Sequence, residues 1–158
     1  MSIRSLALVV NPSRPEAIDA AHKLAPLLYS AGFSLYTISD ISIEGIKKVA
    51  ASDLPDIEVA VVLGGDGTIL RAAEVTLGRK IPLLGINLGQ VGFLAEVNRP
   101  TIDAIAESII NKSYVTENRM VLQFSVERDS KEIAQGWALN EVTAVSYTHL
   151  RAHETVLD

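Results

Sequence analysis

The stretch that decides the fold is VAVVLGGDGTILRAA, residues 59–73. It begins with five apolar, mostly β-branched residues, stops at a glycine-rich segment, and continues at once in helix-forming sequence. This order predicts a buried strand at residues 59–63, a tight turn, and a helix that runs to about Leu77, before Gly78. A turn that follows such a strand lies at the carboxyl edge of a parallel sheet, where open α/β folds bind ligands.

The turn itself, Gly64-Gly65-Asp66-Gly67-Thr68, has the composition of a phosphate-binding loop. Glycines let the backbone approach a ligand closely and take a positive φ where one is needed. The free N–H groups of the next helical turn would then point at an anion, and phosphate is the best candidate. The alternative is a tight turn in which Asp66 or Thr68 only caps the helix. Because GGDGT follows a buried strand, we favour the phosphate site.

Strand and helix alternate along the chain up to residue 113. Strands are predicted at residues 6–10, 33–38, 59–63 and 82–86, and further helices at residues 15–31, 42–50 and 100–111. In the first helix, which begins near Pro15, Ser13 is the expected cap, Pro26 is expected to kink the helix, and Gly32 to end it. The pattern predicts an α/β fold with a parallel sheet, and we assign residues 1–113 to this nucleotide-binding domain.

Composition changes after residue 113. Residues 114–126 lack a helical period and alternate in the manner of a strand, residues 127–131 are a polar turn, and residues 133–139 return as a second strand. We interpret residues 114–144 as the opening hairpin of an all-β second domain.

A second glycine loop, NLGQVGFL (residues 87–94), follows the fourth predicted strand. It differs from the dinucleotide fingerprint GxGxxG in having Asn87 at the first glycine position, and on its own it indicates only a turn. Beside GGDGT, it places two glycine loops on one sheet edge. Neither loop continues into Lys and then Ser or Thr, so the Walker A pattern is absent. Phosphate must therefore be bound by backbone N–H groups, a divalent ion and Arg71, for which the alternative is a surface helix arginine.

Composition and charge exclude several functional classes. The chain has 158 residues, a formal net charge of −5 and no cysteine. The negative charge suggests no surface for nucleic acid or an anionic membrane, and the lack of cysteine excludes disulfides and cysteine zinc sites. The first ten residues contain an apolar run too short for a signal peptide or a membrane span, so a cytoplasmic location is expected. His149 and His153, spaced i and i+4, are a weak metal candidate because no third ligand is evident.

GGDGT resembles the signature shared by NAD kinases, diacylglycerol and sphingosine kinases, and phosphofructokinases. The loop NLGQVGFL narrows the resemblance to NAD kinases, because phosphofructokinases lack it and lipid kinases usually carry Asn-Glu where this chain has Leu70-Arg71. Residues 117–122, ENRMVL, and the pair Asn140-Glu141 also resemble the NAD kinase family. The resemblance covers residues 4–144.

The resemblance implies transfer of the terminal phosphate of ATP, or of polyphosphate in some relatives, to the 2′-hydroxyl of the adenosine ribose of NAD. Asp66 would accept the hydroxyl proton, and Mg²⁺ would bridge the donor phosphates. Asn140 and Glu141 would bind ribose hydroxyls or amide groups, with an ordinary polar strand end as the alternative. A homo-oligomer is expected at full length, and no residue is assigned as a metal ligand. The implied nucleotide-binding residues are Gly64, Gly65, Gly67, Thr68, Arg71, Asn87, Asn140 and Glu141.

Residues 145–158, VSYTHLRAHETVLD, do not resemble the strand, turn and strand with which that family continues, and they are predicted to be a non-native tail. We therefore expect a chain that is truncated within its second domain and does not catalyse the reaction alone. Two alternatives stay open: a lipid or sugar kinase that shares the GGDGT turn, and an inactive nucleotide-binding fragment.

Overall fold

The computed structural model describes residues 3–86, 88, 101–139 and 142. The chain divides into two compact units, residues 1–116 and 117–158. The first unit contains, in order, β1 (Ser5–Val10), α1 (Pro15–Ser30), β2 (Ser34–Thr37), β3 (Ile46–Lys48), a 3₁₀ turn (Ala51–Asp53), β4 (Val59–Leu63), α2 (Asp66–Thr76), β5 (Leu83–Ile86) and α3 (Ile102–Ile110). The second unit contains β6 (Leu122–Arg128) and β7 (Lys131–Ala138).

The strands of the first unit form one parallel sheet in the order β3-β2-β1-β4-β5. From β1 the chain moves outward to β2 and β3, and it then returns to the other side of β1 to add β4 and β5. The strand order therefore reverses between β1 and β4. In open α/β sheets this switch point is where ligands bind, outside the carboxyl ends of the strands.

Helices cover both faces of this sheet. Alternate residues of β1 and β4 face opposite sides, and one set packs with α1 and α3 while the other packs with α2. Every residue of β4 is at most 1% exposed. A parallel strand that is covered on both faces must be apolar throughout, which explains the uninterrupted run VAVVL. The predicted parallel α/β fold is confirmed.

The helix predicted at residues 42–50 is wrong. The segment instead forms β3, a three-residue edge strand that pairs with β2 through Leu35 and Ile46. Gly45 has a φ of 83°, which is incompatible with a continuous α-helix. β3 forms because the edge of β2 provides backbone hydrogen-bonding partners. This is a tertiary contact, which the hydrophobic periodicity of residues 42–50 does not encode.

The start of α1 differs from the prediction in its cap. The helix begins at Pro15, but the N-cap residue is Arg14 and it makes no side-chain capping bond. Ser13 is not the N-cap residue, because it lies one position before Arg14; its N–H donates to the Oδ1 of Asn11 at 2.9 Å. Asn11 therefore shapes this loop, as asparagine does in turns.

The end of α1 is as predicted. Gly32 has a φ of 89°, and its N–H donates to the carbonyl of Tyr29 while that of Phe33 donates to Leu28. These two bonds are the Schellman pattern, which favours glycine at this position. Pro26 lies inside a helix that continues to Ser30, and the kink remains a prediction.

The second unit is an antiparallel hairpin of β6 and β7. It is shorter than predicted, because β6 begins at Leu122 rather than at residue 114 and the turn is reduced to Asp129 and Ser130. Both turn residues have a positive φ, 51° and 61°, which is the I′ turn whose twist matches that of the strands. Phe124 pairs across the hairpin with Gly136, where a Cβ would lie 2.6 Å from the ring. The ring therefore covers the glycine.

In the part of the chain that the structure describes, none of the helices combines the length and the apolar character needed to cross a membrane.

Candidate nucleotide-binding site

The GGDGT turn lies beside the loop that follows β1. The N–H of Asn11 donates to the carbonyl of Leu63 at 2.9 Å, which extends the β1–β4 ladder to the last residue before Gly64. The two loops leave the sheet from adjacent strands and at the same edge. The turn predicted to bind phosphate therefore stands at the switch point of the sheet.

Gly64 is packed too closely to carry a side chain. A Cβ on Gly64 would lie 2.8 Å from the Cβ of Thr68 and 3.1 Å from the Cβ of Asn11. Glycine at 64 is thus required by internal packing, and it does not have a positive φ. Thr68 is itself 9% exposed, so the contact joins the buried end of β4 to the first turn of α2.

Asp66 and Gly67 are the first two residues of α2, and both are exposed. Gly65 is the N-cap residue, so the alternative in which Asp66 or Thr68 caps the helix is wrong. A Cβ on Gly67 would meet no atom within 4 Å among the described residues. Packing among the described residues therefore does not require glycine there, and its role in binding phosphate remains a prediction.

At the start of α2, next to the Asp66 carboxylate, two backbone N–H groups have no hydrogen-bond acceptor among the residues that the structure describes. The first N–H groups of a helix have no partner within the helix. The N–H groups of Thr68 and Ile69 do reach a carbonyl, that of Gly65, both at 3.1 Å. Those of Asp66 and Gly67 precede them and are available to an anion, which the positive end of the helix dipole also favours.

An arginine that the sequence motifs do not reveal stands beside the turn. The Nη2 of Arg14 lies 3.6 Å from the position that a Cβ on Gly65 would occupy. Arg14 belongs to the loop between β1 and α1, 52 positions before Asp66. The Asn-Pro step at residues 11–12 indicates that a strand ends just before Arg14. The sequence does not reveal that this strand, β1, pairs with β4 and so brings Arg14 to the turn.

Two buried hydroxyl groups fix the carboxyl ends of β1 and β2. Thr37 Oγ1 donates to the carbonyl of Leu8 at 2.7 Å, and Ser39 Oγ accepts the N–H of Val10 at 2.8 Å. Both hydroxyl residues are at most 2% exposed. Buried hydrogen bonds of this kind rigidify their surroundings, so the two hydroxyls hold the end of β1 and the loop that begins at Asn11.

Arg71 is an exposed residue of α2 whose guanidinium contacts the end of β2. Its Nη2 donates to the carbonyl of Ile38, the residue that follows β2, at 3.3 Å. The contact keeps the guanidinium at the carboxyl edge of the sheet, on the side of β1 away from β4. Its role in binding phosphate remains a prediction.

Arg71 also borders an open groove of about 560 Å³ on the α2 side of the sheet. At the rim, Lys48 Nζ and Asp40 Oδ1 form an ion pair at 2.5 Å, and the hydrogen bond from Lys48 lowers the pKa of Asp40 below its usual value. The groove is lined by Ile38, Lys48, Val49, Ala50, Ala51, Arg71, Glu74 and Val75.

A partly buried ion pair lies at the amino ends of β1 and β4, opposite the carboxyl edge of the sheet. Arg4 donates to both carboxylate oxygens of Glu58, at 2.8 and 2.5 Å, and also to the carbonyls of Ile109 and Ile110 at the end of α3. The hydroxyl of Tyr114 donates to the same carboxylate at 3.1 Å. The hydrogen bonds from Arg4 lower the pKa of Glu58, and burial raises the pKa of Tyr114. This cluster ties α3 to the sheet and lies far from GGDGT.

Several predicted site residues lie outside the described part of the chain. They are Asn87, Asn140 and Glu141, together with residues 89–94 of the second glycine loop and the pair His149 and His153. Within the described residues, no three His, Cys, Asp or Glu side chains are grouped so as to hold a metal ion.

Comparison with known proteins identifies the family to which this site belongs. Residues 6–114 match the model of the ATP-NAD kinase N-terminal domain. The chain belongs to the NAD kinase family. The match contains the GGDGT turn, α3 and all of the parallel sheet except Ser5, the first residue of β1.

Individual relatives agree with this assignment. The chain is 35% identical over 176 residues to the NAD kinase of Rhodococcus jostii (strain RHA1), covering 98% of this chain and 55% of the relative. It is 37% identical over 158 residues to the NAD kinase of Mycobacterium leprae (strain TN), covering 89% and 51%. The chain thus spans about half the length of these curated relatives. Its fold is similar to that of yeast NADH kinase complexed with NADH, with a TM-score of 0.66 at 19% identity, over 87% of this chain and 44% of that one.

Proposed function

We propose that the protein acts as an NAD kinase, transferring the terminal phosphate of ATP to the 2′-hydroxyl of the adenosine ribose of NAD to give NADP. The observation that carries this proposal is the GGDGT turn at the switch point between β1 and β4, with Asp66 exposed at the first position of α2. Family membership supports the reaction, and the geometry of the turn supports its location.

In the proposed step, the ribose 2′-oxygen attacks the terminal phosphorus of the donor. The bond between that phosphorus and the oxygen that bridges it to the next phosphate breaks, and its electron pair leaves with ADP. The hydroxyl proton passes to the carboxylate of Asp66. Because the transition state of phosphoryl transfer is loose, positioning and charge stabilisation matter more than the strength of this base.

The residues around the turn suit the charge of the donor. The N–H groups at the start of α2 would bind phosphate oxygens, as helix N-termini do in other phosphate sites. Arg14, beside Gly65, would add a cation from the neighbouring loop. Arg71 would add a second cation from within α2, and Gly67 would leave room for the phosphate.

The side chains at the turn fit Mg²⁺ as an ion that enters bound to the nucleotide. Mg²⁺ is usually held by one or two carboxylates, several waters and substrate phosphates. Among the described residues, Asp66 is the carboxylate of the turn, and no cluster of three acidic or histidine side chains is present. When bound, the ion would neutralise charge on the donor phosphates. Polyphosphate remains the alternative donor.

The remaining contacts of the substrates stay predictions. Asn87 would bind the nucleotide from the second glycine loop, and Asn140 and Glu141 would bind NAD. We also propose a cytoplasmic location and a homo-oligomer.

The test is turnover by the full-length protein, by which we mean the natural reading frame that contains residues 3–142. Purified protein is incubated with NAD, Mg²⁺ and either ATP or polyphosphate, and NADP is measured with an NADP-specific dehydrogenase. We expect NADP to form with at least one donor. Phosphorylation of a diacylglycerol, a sphingoid base or a sugar phosphate, with no NADP formed, would favour the alternative kinases. Binding of NAD and ATP without turnover of any acceptor would favour a nucleotide-binding protein that is not an enzyme.

A further inference from the structure

Glu58, the residue before β4, binds residues from both the start and the end of the first unit. Arg4, which precedes β1, donates to both of its carboxylate oxygens. From the end of the unit, Tyr114 donates its hydroxyl at 3.1 Å, and the Nζ of Lys112 lies 3.7 Å away. Because the side chain of Glu58 is only 19% exposed, solvent and salt screen these contacts less than those of a surface pair.

The position of Arg4 is itself fixed by three further contacts. Its guanidinium carbon lies 4.3 Å from the centroid of the buried Phe33 ring, a favourable cation–π distance. It also donates to the carbonyls of Ile109 and Ile110, at 2.9 and 2.7 Å. The last carbonyls of a helix depend on donors of this kind. Arg4 therefore joins the end of α3 to Glu58.

The four residues after α3, residues 111–114, are held by this cluster and by local hydrogen bonds. The N–H groups of Lys112 and Ser113 donate back to carbonyls of α3, at 3.2 and 2.9 Å. Lys112 has a φ of 53°, the left-handed conformation in which many helices end. The half-buried Tyr114 then contacts Glu58. The first four residues beyond the helix thus stay on the first unit.

The next stretch, residues 115–121, is held by no such contacts. Residues 115–120 are all exposed. In the described part of the chain, the hydrogen bond in this stretch is local, from Arg119 to Glu117 at 3.4 Å. The two compact units divide within it, after residue 116, and β6 begins at Leu122. Exposed connections with few contacts are where one domain moves relative to another.

We propose that Arg4 and Glu58 form a clamp on the connection between the two units, so that its flexible part begins at Val115 and not at the end of α3. The Tyr114 hydroxyl and the Lys112 ammonium group are the parts of the connection that the clamp holds. The flexible part is therefore limited to residues 115–121 instead of residues 111–121. A shorter flexible connection restricts how far the second unit moves.

Two matched trypsin sites in the chain test the clamp. Lys112 and Arg119 are both exposed and each follows an asparagine, but only Lys112 lies in the clamped segment. The folded 158-residue chain is digested briefly, and cleavage after each residue is measured by mass spectrometry. The rates are divided by those of an unfolded peptide of residues 105–126, which removes the preference of trypsin for either bond. Cleavage after Lys23, within α1, reports unfolding of the whole unit.

Tyr114→Phe is the variant that loosens the clamp, because it removes the hydroxyl and keeps the ring. Tyr29→Phe is the matched control, since Tyr29 is an exposed tyrosine of α1 in the same unit.

In the unmodified chain, we expect the normalised cleavage after Arg119 to be at least about tenfold faster than that after Lys112, because brief proteolysis follows local opening. Tyr114→Phe should accelerate cleavage after Lys112 by about two- to tenfold, which corresponds to the loss of one hydrogen bond. Cleavage after Arg119 and Lys23 should not change, and Tyr29→Phe should cleave as the unmodified chain does.

Equal normalised rates after Lys112 and Arg119 in the unmodified chain would overturn the clamp, since residues 111–114 would then open as readily as residues 115–121. An unchanged rate after Lys112 in Tyr114→Phe would also overturn it. So would acceleration after Lys23 together with Lys112, because Tyr114 would then stabilise the unit as a whole and not the connection.

Discussion

Thr68 lies against the backbone of Gly64 so closely that a Cβ on the glycine would be 2.8 Å from the Cβ of the threonine. The contact joins the end of β4 to the first turn of α2 without any side chain at position 64. Three residues later, a Cβ on Gly67 would meet no described atom within 4 Å. Gly64 and Gly67 of the same motif thus differ in whether packing requires glycine, and substitution of each by alanine distinguishes the two cases.

Gly64→Ala is expected to destabilise the fold. The new methyl group must displace Thr68 or Asn11, and overpacking of this kind costs about 1–3 kcal/mol. Gly67→Ala is the matched control, since alanine inside a helix is favoured over glycine by up to about 1 kcal/mol. Urea unfolding of the two variants measures the difference. Equal stabilities would show that the Gly64 contact relaxes without strain.

Gly67→Ala is expected to lower activity in the full-length protein although the fold is retained. The methyl group occupies space that the proposal assigns to the donor phosphate, and displacement of a reacting group by about 1 Å costs on the order of a hundredfold in rate. Steady-state kinetics with ATP and NAD, together with the unfolding curve, give both quantities. Unchanged kcat/KM for ATP would mean that no ligand approaches Gly67.

Glu58 is expected to make stability depend on pH. Its pKa is lowered in the folded state by Arg4, so its contribution is present above the pKa of the unfolded chain, about 4.3. The contribution is lost as the pH falls through the folded-state pKa. Glu58→Gln should therefore be destabilised at pH 7, by about 1.5–3 kcal/mol for hydrogen bonds to a charged group, and the deficit should shrink at pH 3.

The control for Glu58 is Asp56→Asn. Asp56 pairs with Arg79 at 3.3 Å but its side chain is fully exposed, and surface pairs contribute little. The free energy of unfolding of Asp56→Asn should follow that of the unmodified chain across the same pH range. A Glu58→Gln deficit that is the same at pH 3 and pH 7 would show that the charge of the carboxylate is not its source.

Ser130→Gly is expected to stabilise the hairpin of β6 and β7. Ser130 has a φ of 61°, a conformation that costs a residue with a side chain roughly 1–2 kcal/mol and costs glycine little. The resulting Asp-Gly pair is also a preferred I′ turn. Hydrogen exchange in residues 122–128 and 131–138 should slow by up to about tenfold, because part of the gain is offset by the greater entropy of unfolded glycine. Faster exchange would show that the Ser130 side chain stabilises the turn.

The elements that could be predicted are those whose sequence carries their own signal. The run at residues 59–63 is apolar throughout because both faces of β4 are covered. Gly32 ends α1 because the residue at this position takes a left-handed backbone conformation, which glycine adopts readily. β3 could not be predicted, since three residues acquire strand structure only from the edge of β2. Local sequence patterns thus identified the elements whose own residues indicate their structure.

The same distinction applies to the site. GGDGT is contiguous, so the position of Asp66 at the start of α2 followed from the order of strand, turn and helix. The approach of Arg14 to Gly65 depends on the pairing of β1 with β4, which joins residues about fifty positions apart. The groove beside α2 likewise depends on three separate segments. Long-range strand pairing was the missing information in both cases.

The central claim, that the GGDGT turn is the site of phosphoryl transfer with Asp66 as the base, is tested most directly by the kcat of Asp66→Asn in the full-length protein. The substitution keeps the size of an exposed side chain and removes the group that accepts the proton. We predict that kcat falls by about 10²–10⁴-fold, with little change in NAD affinity or in stability. Turnover close to that of the unmodified protein would contradict the account.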